Sequence, residues 1–265
     1  MAESPALRRL LLLGGTAEAA ALAERLAPHP GFAVTYSWAG RTRNPRPLPV
    51  AVRSGGFGGV AGLIAHLRAA AVDLLIDATH PHAVQISRHA REASLALGLP
   101  LIALRRPLWT PAAGDDWRLV GDAESAAAAL GAAPRRVFLT IGRQDLAPFR
   151  ARPWHHYLIR SVEPPPPEEL PPGAELILAR GPFGEEEERA LLASRRIEVV
   201  VSKNSGAAAV AGKLAAARAL GLPVVMIMPP AKPAADLTFT SAEALHHWLL
   251  RLAAGEAGLP ERRGV

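Results

Sequence analysis

Short apolar runs alternate with amphipathic stretches from one end of the chain to the other. Apolar, β-branched-rich runs bounded by Gly, Pro or Asp predict strands at Arg9–Leu13, Ala33–Trp38, Val50–Arg53, Leu74–Ala78 and Leu101–Leu104. The intervening segments carry helical spacing at about Ala17–Ala27, Val60–Ala71 and Ala83–Leu97. In the first of these, Leu22 and Leu26 share a face with Ala19 and Ala23 beside them, as a helix covering a sheet requires. Gly98 and Pro100 stop the third.

From Arg105 to Trp117 the pattern breaks at Pro107, Trp109, Pro111 and Gly114, which reads as a crossing between domains. Alternation then resumes. Strands are predicted at Arg136–Ile141, Tyr157–Ser161, Glu175–Ala179, Ile197–Val201 and Val224–Met228. Helices are predicted at Asp122–Leu130, Glu185–Ser194 and Ala207–Leu220, and a closing helix from Ala242 to about Ala253. Pro164–Pro167 makes a rigid extended connection. Two five-strand halves with interleaved helices predict an α/β fold of two doubly wound domains with parallel sheets, and a cleft between them as the place for a ligand. The predicted boundaries are 1–105, 106–240, and 241–265 for the closing helix and tail.

The 265 residues, 49% of them hydrophobic, suffice for one large or two small packed domains. No apolar run reaches the ~20 residues that span a bilayer, and Leu10–Leu13 is too short for a signal-peptide core. The absence of cysteine excludes disulfides, thiolate metal sites and cysteine nucleophiles, and fits a cytoplasmic protein without a membrane partner. The net charge of +6 suits nucleic acid or an anionic small molecule, and equally an arginine-rich genome. Scattered basic residues and an aromatic content of 5% weigh against nucleic acid. Only Lys203, Lys213 and Lys232 among the 30 basic residues are lysines, which draws attention to Lys203 at a turn.

Four marked turns follow predicted strands: Gly14-Gly15-Thr16, Gly55-Gly56-Phe57-Gly58-Gly59, Asp77-Ala78-Thr79-His80-Pro81 and Lys203-Asn204-Ser205-Gly206. In open parallel sheets, ligands bind beyond the carboxyl ends of the strands, so these turns predict a nucleotide-cofactor enzyme. Gly14, Gly15 and Thr16 open a helix whose N-terminus favours an anion, although they fall short of a full dinucleotide fingerprint. Glu18 reads as a capping or hydroxyl-binding group. After the second strand, Ser37, Gly40, Arg41, Thr42 and Arg43 bring two arginines and no acid. That composition suits the 2′-phosphate of NADPH better than the free ribose of NADH, and argues against an S-adenosylmethionine site. An Arg41–phosphate contact worth about 1.5–3 kcal/mol gives a roughly 10- to 150-fold preference for NADPH. Gly56, Phe57 and Gly58 let ribose or pyrophosphate lie against backbone; a flexible turn is the alternative.

Taken in order and spacing, these turns resemble the precorrin-6A reductases, including their cobalt-precorrin-6A form, of corrin biosynthesis. The resemblance spans about Leu10 to Pro230 and is most specific at Asp77-Ala78-Thr79-His80-Pro81-His82-Ala83. Further matching pieces are Arg106-Pro107-Leu108-Trp109, Gly142-Arg143-Gln144, Gly181-Pro182-Phe183 and Lys203-Asn204-Ser205-Gly206. His82 departs from the phenylalanine more usual there. The resemblance implies two Rossmann-like domains, a fold that can exchange a strand between them, and reduction of one macrocycle double bond by a nicotinamide hydride. It also implies a polycarboxylate tetrapyrrole-derived substrate, and transient contact with neighbouring corrin-pathway enzymes.

For that reaction, hydride goes to a ring carbon conjugated with a ring nitrogen, and a proton goes to the neighbouring carbon. His80 is the candidate catalytic group, as proton donor or substrate-orienting group, because its class of pKa suits neutral pH; a structural histidine at a strand end is the alternative. Pro81 biases it towards an extended conformation. Cofactor contact is expected from Gly14, Gly15, Thr16, Ser37, Gly40, Arg41, Thr42, Gly56, Phe57, Gly58 and Thr79. Arg143, Arg180, Lys203 and Ser205 are the candidates for substrate carboxylates, with surface charge as the alternative for the cations. Ser205 and Gly206 could equally cap a helix from Ala207. The remaining histidines show no ligand spacing, so no catalytic metal is expected. Competing readings are another NADPH reductase or epimerase on the same architecture, a non-catalytic NADPH sensor, and a nucleic-acid-binding protein. Tyr36 and Tyr157 both lack a lysine four residues on, which argues against a short-chain dehydrogenase.

Overall fold

Every residue of the run Leu10–Leu13 is buried, Leu10 and Leu12 in one apolar cluster and Leu11 and Leu13 in another. A strand covered on both faces needs apolar residues at both parities, and this one has them. The computed structural model describes residues 7–40 and 47–259. The chain divides into two compact units, residues 1–107 with 231–265, and residues 108–230.

The first unit contains β1 (Arg8–Leu13), α1 (Ala17–Leu26), β2 (Phe32–Trp38), β3 (Ala51–Ser54), α2 (Gly59–Ala69), β4 (Leu74–Asp77), α3 (Val84–Leu97) and β5 (Leu101–Leu104). The second contains β6 (Trp117–Val120), α4 (Ala123–Ala129), β7 (Arg136–Thr140), α5 (Ala147–Arg150), β8 (His156–Ser161), β9 (Glu175–Leu178), α6 (Glu185–Ser194), β10 (Val199–Lys203), α7 (Gly212–Ala219) and β11 (Val224–Ile227). The chain then returns to the first unit with β12 (Leu237–Phe239) and α8 (Ala242–Ala253).

Both sheets are parallel and six-stranded, ordered β3-β2-β1-β4-β5-β12 and β9-β8-β7-β10-β11-β6. Each has the strand order of a dinucleotide-binding sheet, with the switch of direction between β1 and β4, and between β7 and β10. The sixth strands are exchanged: β6 follows the first unit's β5 in sequence but joins the second sheet, while β12 follows the second unit's β11 and joins the first. Helices cover both faces. In the first unit α1 and α8 pack on Leu10 and Leu12, and α2 and α3 pack on Leu11 and Leu13. Ala19, Leu22, Ala23 and Leu26 are the buried face of α1, as the spacing predicts. In the second unit α4 and α5 lie with Val137 and Leu139, and α6 and α7 with Phe138.

Three expectations are corrected. The domain boundary at 240 moves to 230, and the closing helix belongs to the first unit. Leu237 and Phe239 pair with Ile102 and Leu104, and Leu245, Leu249 and Leu252 bury in the first unit's core. Asp236 fastens the junction, accepting from Arg91 at 2.7 Å and from the Leu101 amide at 2.8 Å. Each half has six strands where the pattern predicts five, because β6 and β12 are short edge strands with little buried surface. The helix expected from Ala207 begins at Gly212, after a 3-10 turn at Ala208–Val210. A Cβ on Gly212 would stand 2.5 Å from the Phe183 carbonyl oxygen, so only glycine admits this close approach. Among the described residues no helix is long and apolar enough to cross a membrane.

Candidate functional site

The turn from β1 into α1 is built around Tyr36 of β2. Its hydroxyl accepts the Gly15 amide at 2.7 Å, and the Gly14 amide donates to the Ser37 carbonyl at 2.8 Å. A Cβ on Gly14 would fall 2.2 Å from Tyr36 Cζ, and Gly15 has a φ of 109°, so both positions demand glycine. Burial raises the Tyr36 pKa against the opposing effect of the Gly15 N–H, keeping the phenol neutral. Thr16 caps α1 by accepting the Ala19 amide at 3.1 Å and donates to the Ala78 carbonyl at 2.9 Å. Glu18 pairs with Arg106 at 2.5 Å. Burial pushes its carboxyl upward, but the Arg106 hydrogen bond and charge, with backbone and Thr16 hydrogen bonds, leave it below the ordinary value.

The glycine-rich segment after β3 is organised by Arg53. Its guanidinium donates at 3.0 Å to Ser37 Oγ, to the Gly55 carbonyl and to the Gly56 carbonyl, and lies 3.8 Å over the Phe57 ring. Gly55, Gly56, Gly58 and Gly59 all face open space where a Cβ would stand. The N-terminus of α2, at Gly58, has no side-chain cap and no acid in its first turn. That of α1 has both. An uncapped helix N-terminus beside open backbone and a guanidinium fits an anionic, flat-faced group such as a nucleotide phosphate and its ribose. Gly40 has a φ of 71°, and a Cβ there would meet Ser54 Oγ at 2.8 Å. Arg41 and Thr42 lie outside the described residues.

After β4 the chain turns on the fully buried Asp77. One carboxylate oxygen accepts from the Thr79 amide at 3.1 Å and the Thr79 hydroxyl at 2.6 Å, and the other from Arg105 at 2.5 Å. Burial alone would raise the Asp77 pKa, but the charges of Arg105 and Lys232, with hydrogen bonds, hold it below the ordinary value. Asp77 therefore shapes the turn as an ionised group. Lys232 donates to Thr79 Oγ1 at 2.7 Å and to the Thr79 carbonyl at 3.1 Å. His80 Nδ1 accepts the His82 amide at 3.2 Å, so the proton of the neutral ring sits on Nε2. The two histidine rings lie 5.6 Å apart.

Gly14, Gly15, Thr16, Ser37, Gly56, Phe57, Gly58, Thr79 and His80 thus lie at the carboxyl ends of four neighbouring strands of one sheet. The Thr16 and Thr79 hydroxyls donate and accept within the protein, and Ser37 Oγ accepts from Arg53. Arg53, Tyr36, Arg105 and Lys232 are absent from the residues predicted to form the site. The scarcity of lysine that singles out Lys203 points equally to Lys232.

In the second unit, Arg143 follows β7 and Lys203 ends β10, the two strands at the switch point, and Arg180 follows β9. Arg143 lies 3.5 Å from Glu163, Lys203 is paired with Asp145, and Arg180 is exposed. Ser205 is buried, and its Oγ accepts the Ala207 amide at 3.4 Å, closing a local turn instead of capping α7. Asn204, fully buried, accepts from the Trp109 amide at 2.9 Å and donates to its carbonyl at 2.8 Å, fixing the chain where it enters this unit. Among the described residues no three His, Asp or Glu side chains come together as metal ligands would.

A family model described as Precorrin-6x reductase CbiJ/CobK matches residues 9–250. A Sinorhizobium protein named Precorrin-6A reductase is 51% identical over 245 residues, covering 91% of this chain and 94% of its own. A Priestia megaterium protein named Cobalt-precorrin-6A reductase is 28% identical over 185 residues, covering 66% of this chain and 72% of its own. The solved structure of a CobK precorrin-6A reductase superposes with a TM-score of 0.86 at 48% identity, covering 96% of this chain and 99% of that one. With its fold, its turns and nearly its whole length matched, the chain belongs to the precorrin-6x reductase family.

Proposed function

We propose that this protein reduces a double bond of precorrin-6A with NADPH, giving the dihydro, precorrin-6B-type product. The observation that carries the reading is the 51% identity over nearly the full length of a protein named for that activity. The lower identity, 28%, to a relative named for the cobalt form favours the metal-free substrate. The nicotinamide, when bound, supplies the hydride.

The residues of this chain bind, orient and protonate. The Arg53-braced segment Gly55–Gly59 and the uncapped α2 N-terminus receive a phosphate-bearing part of the nucleotide, with Gly14 and Gly15 giving the close approach beside β1. Arg41 takes the 2′-phosphate. His80, after taking up a proton to become imidazolium, donates it to the carbon next to the one reduced and is left as the neutral imidazole, or as the neutral ring it orients the substrate through Nε2–H. Arg143, Arg180 and Lys203 draw in substrate carboxylates, two of them by exchanging their present partners Glu163 and Asp145. The setting is the cytoplasm, with transient hand-over to neighbouring pathway enzymes. Product mass tests the reading: anaerobic incubation with precorrin-6A and NADPH yields a species two hydrogens heavier, and an unchanged substrate mass refutes it.

A further inference from the structure

Three consecutive carbonyls of the turn after β4 are held by side chains from three distant segments. The Asp77 carbonyl accepts from Arg105 at 2.8 Å, the Ala78 carbonyl from Thr16 at 2.9 Å, and the Thr79 carbonyl from Lys232 at 3.1 Å. Lys232 also holds Thr79 Oγ1 at 2.7 Å, and that hydroxyl passes its own hydrogen to Asp77 at 2.6 Å. The lysine side chain is 8% exposed and its ammonium lies 4.0 Å from Asp77. In a trans peptide the N–H points opposite to the C=O. Fixing the Thr79 carbonyl therefore fixes the plane of the Thr79–His80 peptide and the direction in which His80 leaves the strand. A compact ammonium with several donors reaches two oxygens of one residue and a neighbouring carboxylate, which a planar guanidinium does less readily.

We propose that Lys232 is a positioning residue of the reductase site: through its two bonds to Thr79 it orients the Thr79–His80 peptide, and with it the His80 ring. The proposal rests on the reading of His80 as the group that faces the substrate. The charged groups around the ammonium are Asp77 of β4 and Arg105 and Arg106 after β5, with Glu18 of α1 paired to Arg106. Burial lowers the Lys232 pKa to about 8; Asp77 opposes this, and Arg105 and Arg106 add to it. Above that pH the charge-assisted hold on Thr79 weakens, so turnover falls on the alkaline side.

The test uses the full-length protein in two forms. Lys232→Met removes the donors and keeps the volume. Because the chain has no cysteine, Lys232→Cys alkylated in denaturant with bromoethylamine and refolded restores an amine at this position alone, and its sulfur lowers that amine's pKa. Expected for Lys232→Met is a kcat about 10- to 100-fold lower, with KM for NADPH within about threefold of wild type. The aminoethylated protein regains kcat, with its alkaline limb moved to lower pH. A kcat unchanged in Lys232→Met, or a restored enzyme whose alkaline limb does not move, overturns the proposal. Hydrogen exchange at the amides of Thr79, His80, His82 and Ala83 is read without ligand, so it decides the role of Lys232 even if the wild type fails to turn over precorrin-6A. Faster exchange in Lys232→Met supports the assignment, and unchanged exchange overturns it.

Discussion

Tyr36 holds the Gly15 amide with its hydroxyl at 2.7 Å and occupies with its ring the space a Cβ on Gly14 would need. The second strand thereby dictates the shape of the turn that leaves the first strand. Gly14→Ala forces the ring away, an overpacking cost of about 1–3 kcal/mol. Because the clash and the Tyr36 side chain are one interaction, Gly14→Ala and Tyr36→Ala together should destabilise by less than the sum of the single changes. Urea denaturation of the four proteins measures this, and additive losses would show that the two residues are independent.

Arg53 braces the cradle after β3 with three hydrogen bonds and the Phe57 ring. Arg53→Met keeps the stem but releases the Gly55 and Gly56 carbonyls. Calorimetric titration should show NADPH binding weakened about tenfold, or about 1.4 kcal/mol, with little change in melting temperature. Unchanged affinity would mean the segment holds its shape without the guanidinium.

The buried strands and the turns that leave them were legible in the sequence, because a strand covered on both faces writes an unbroken apolar run and its exit is marked by glycine or aspartate. The Asp77 turn and the Gly14-Gly15 turn sit where that logic puts them. Edge strands obey a weaker rule. Arg118 and Leu119 of β6 are exposed, and β12 has no buried residue, so neither stands out from a loop. The exchange of these two strands is a tertiary choice without a local signature. Lys232 escaped for a related reason: its partner Thr79 is 153 positions away, and nothing near Lys232 in sequence announces it. Arg53 reads as a solvated end of an edge strand until its hydrogen bonds to the glycine carbonyls are seen.

His80 Nδ1 accepts the His82 amide, and the proposed function makes this ring the proton donor or the group that orients the substrate. His80→Ala should lower turnover about 10²-fold or more, with NADPH affinity unchanged. Equal turnover in stopped-flow assays would remove the ring from the chemistry.

Lys213 presents a different test, one of stability. It is 3% exposed, donates to the Val210 carbonyl at 2.6 Å, and sits near the buried Arg160–Glu188 pair. Burial first, then Arg160, lower its pKa from 10.5 to about 7, with Glu188 opposing. Between those two values the unfolded chain binds more protons than the folded one, so stability rises with pH across that window. The advantage of the wild type over Lys213→Met should therefore grow by about 2 kcal/mol from pH 7 to pH 9. Parallel urea curves at the two pH values measure it, and a constant difference would mean that Lys213 stays charged in the fold.

Hydride transfer to the macrocycle is best tested by a single anaerobic turnover with precorrin-6A and NADPH deuterated at nicotinamide C4, followed by mass spectrometry of the product. The product should carry one added deuterium and one added hydrogen, and NADH in the same assay should react far more slowly. A product lacking the deuterium, or an unaltered substrate alongside tightly bound NADPH, would contradict a precorrin-6A reductase and leave a different reductase or a nucleotide sensor on this fold.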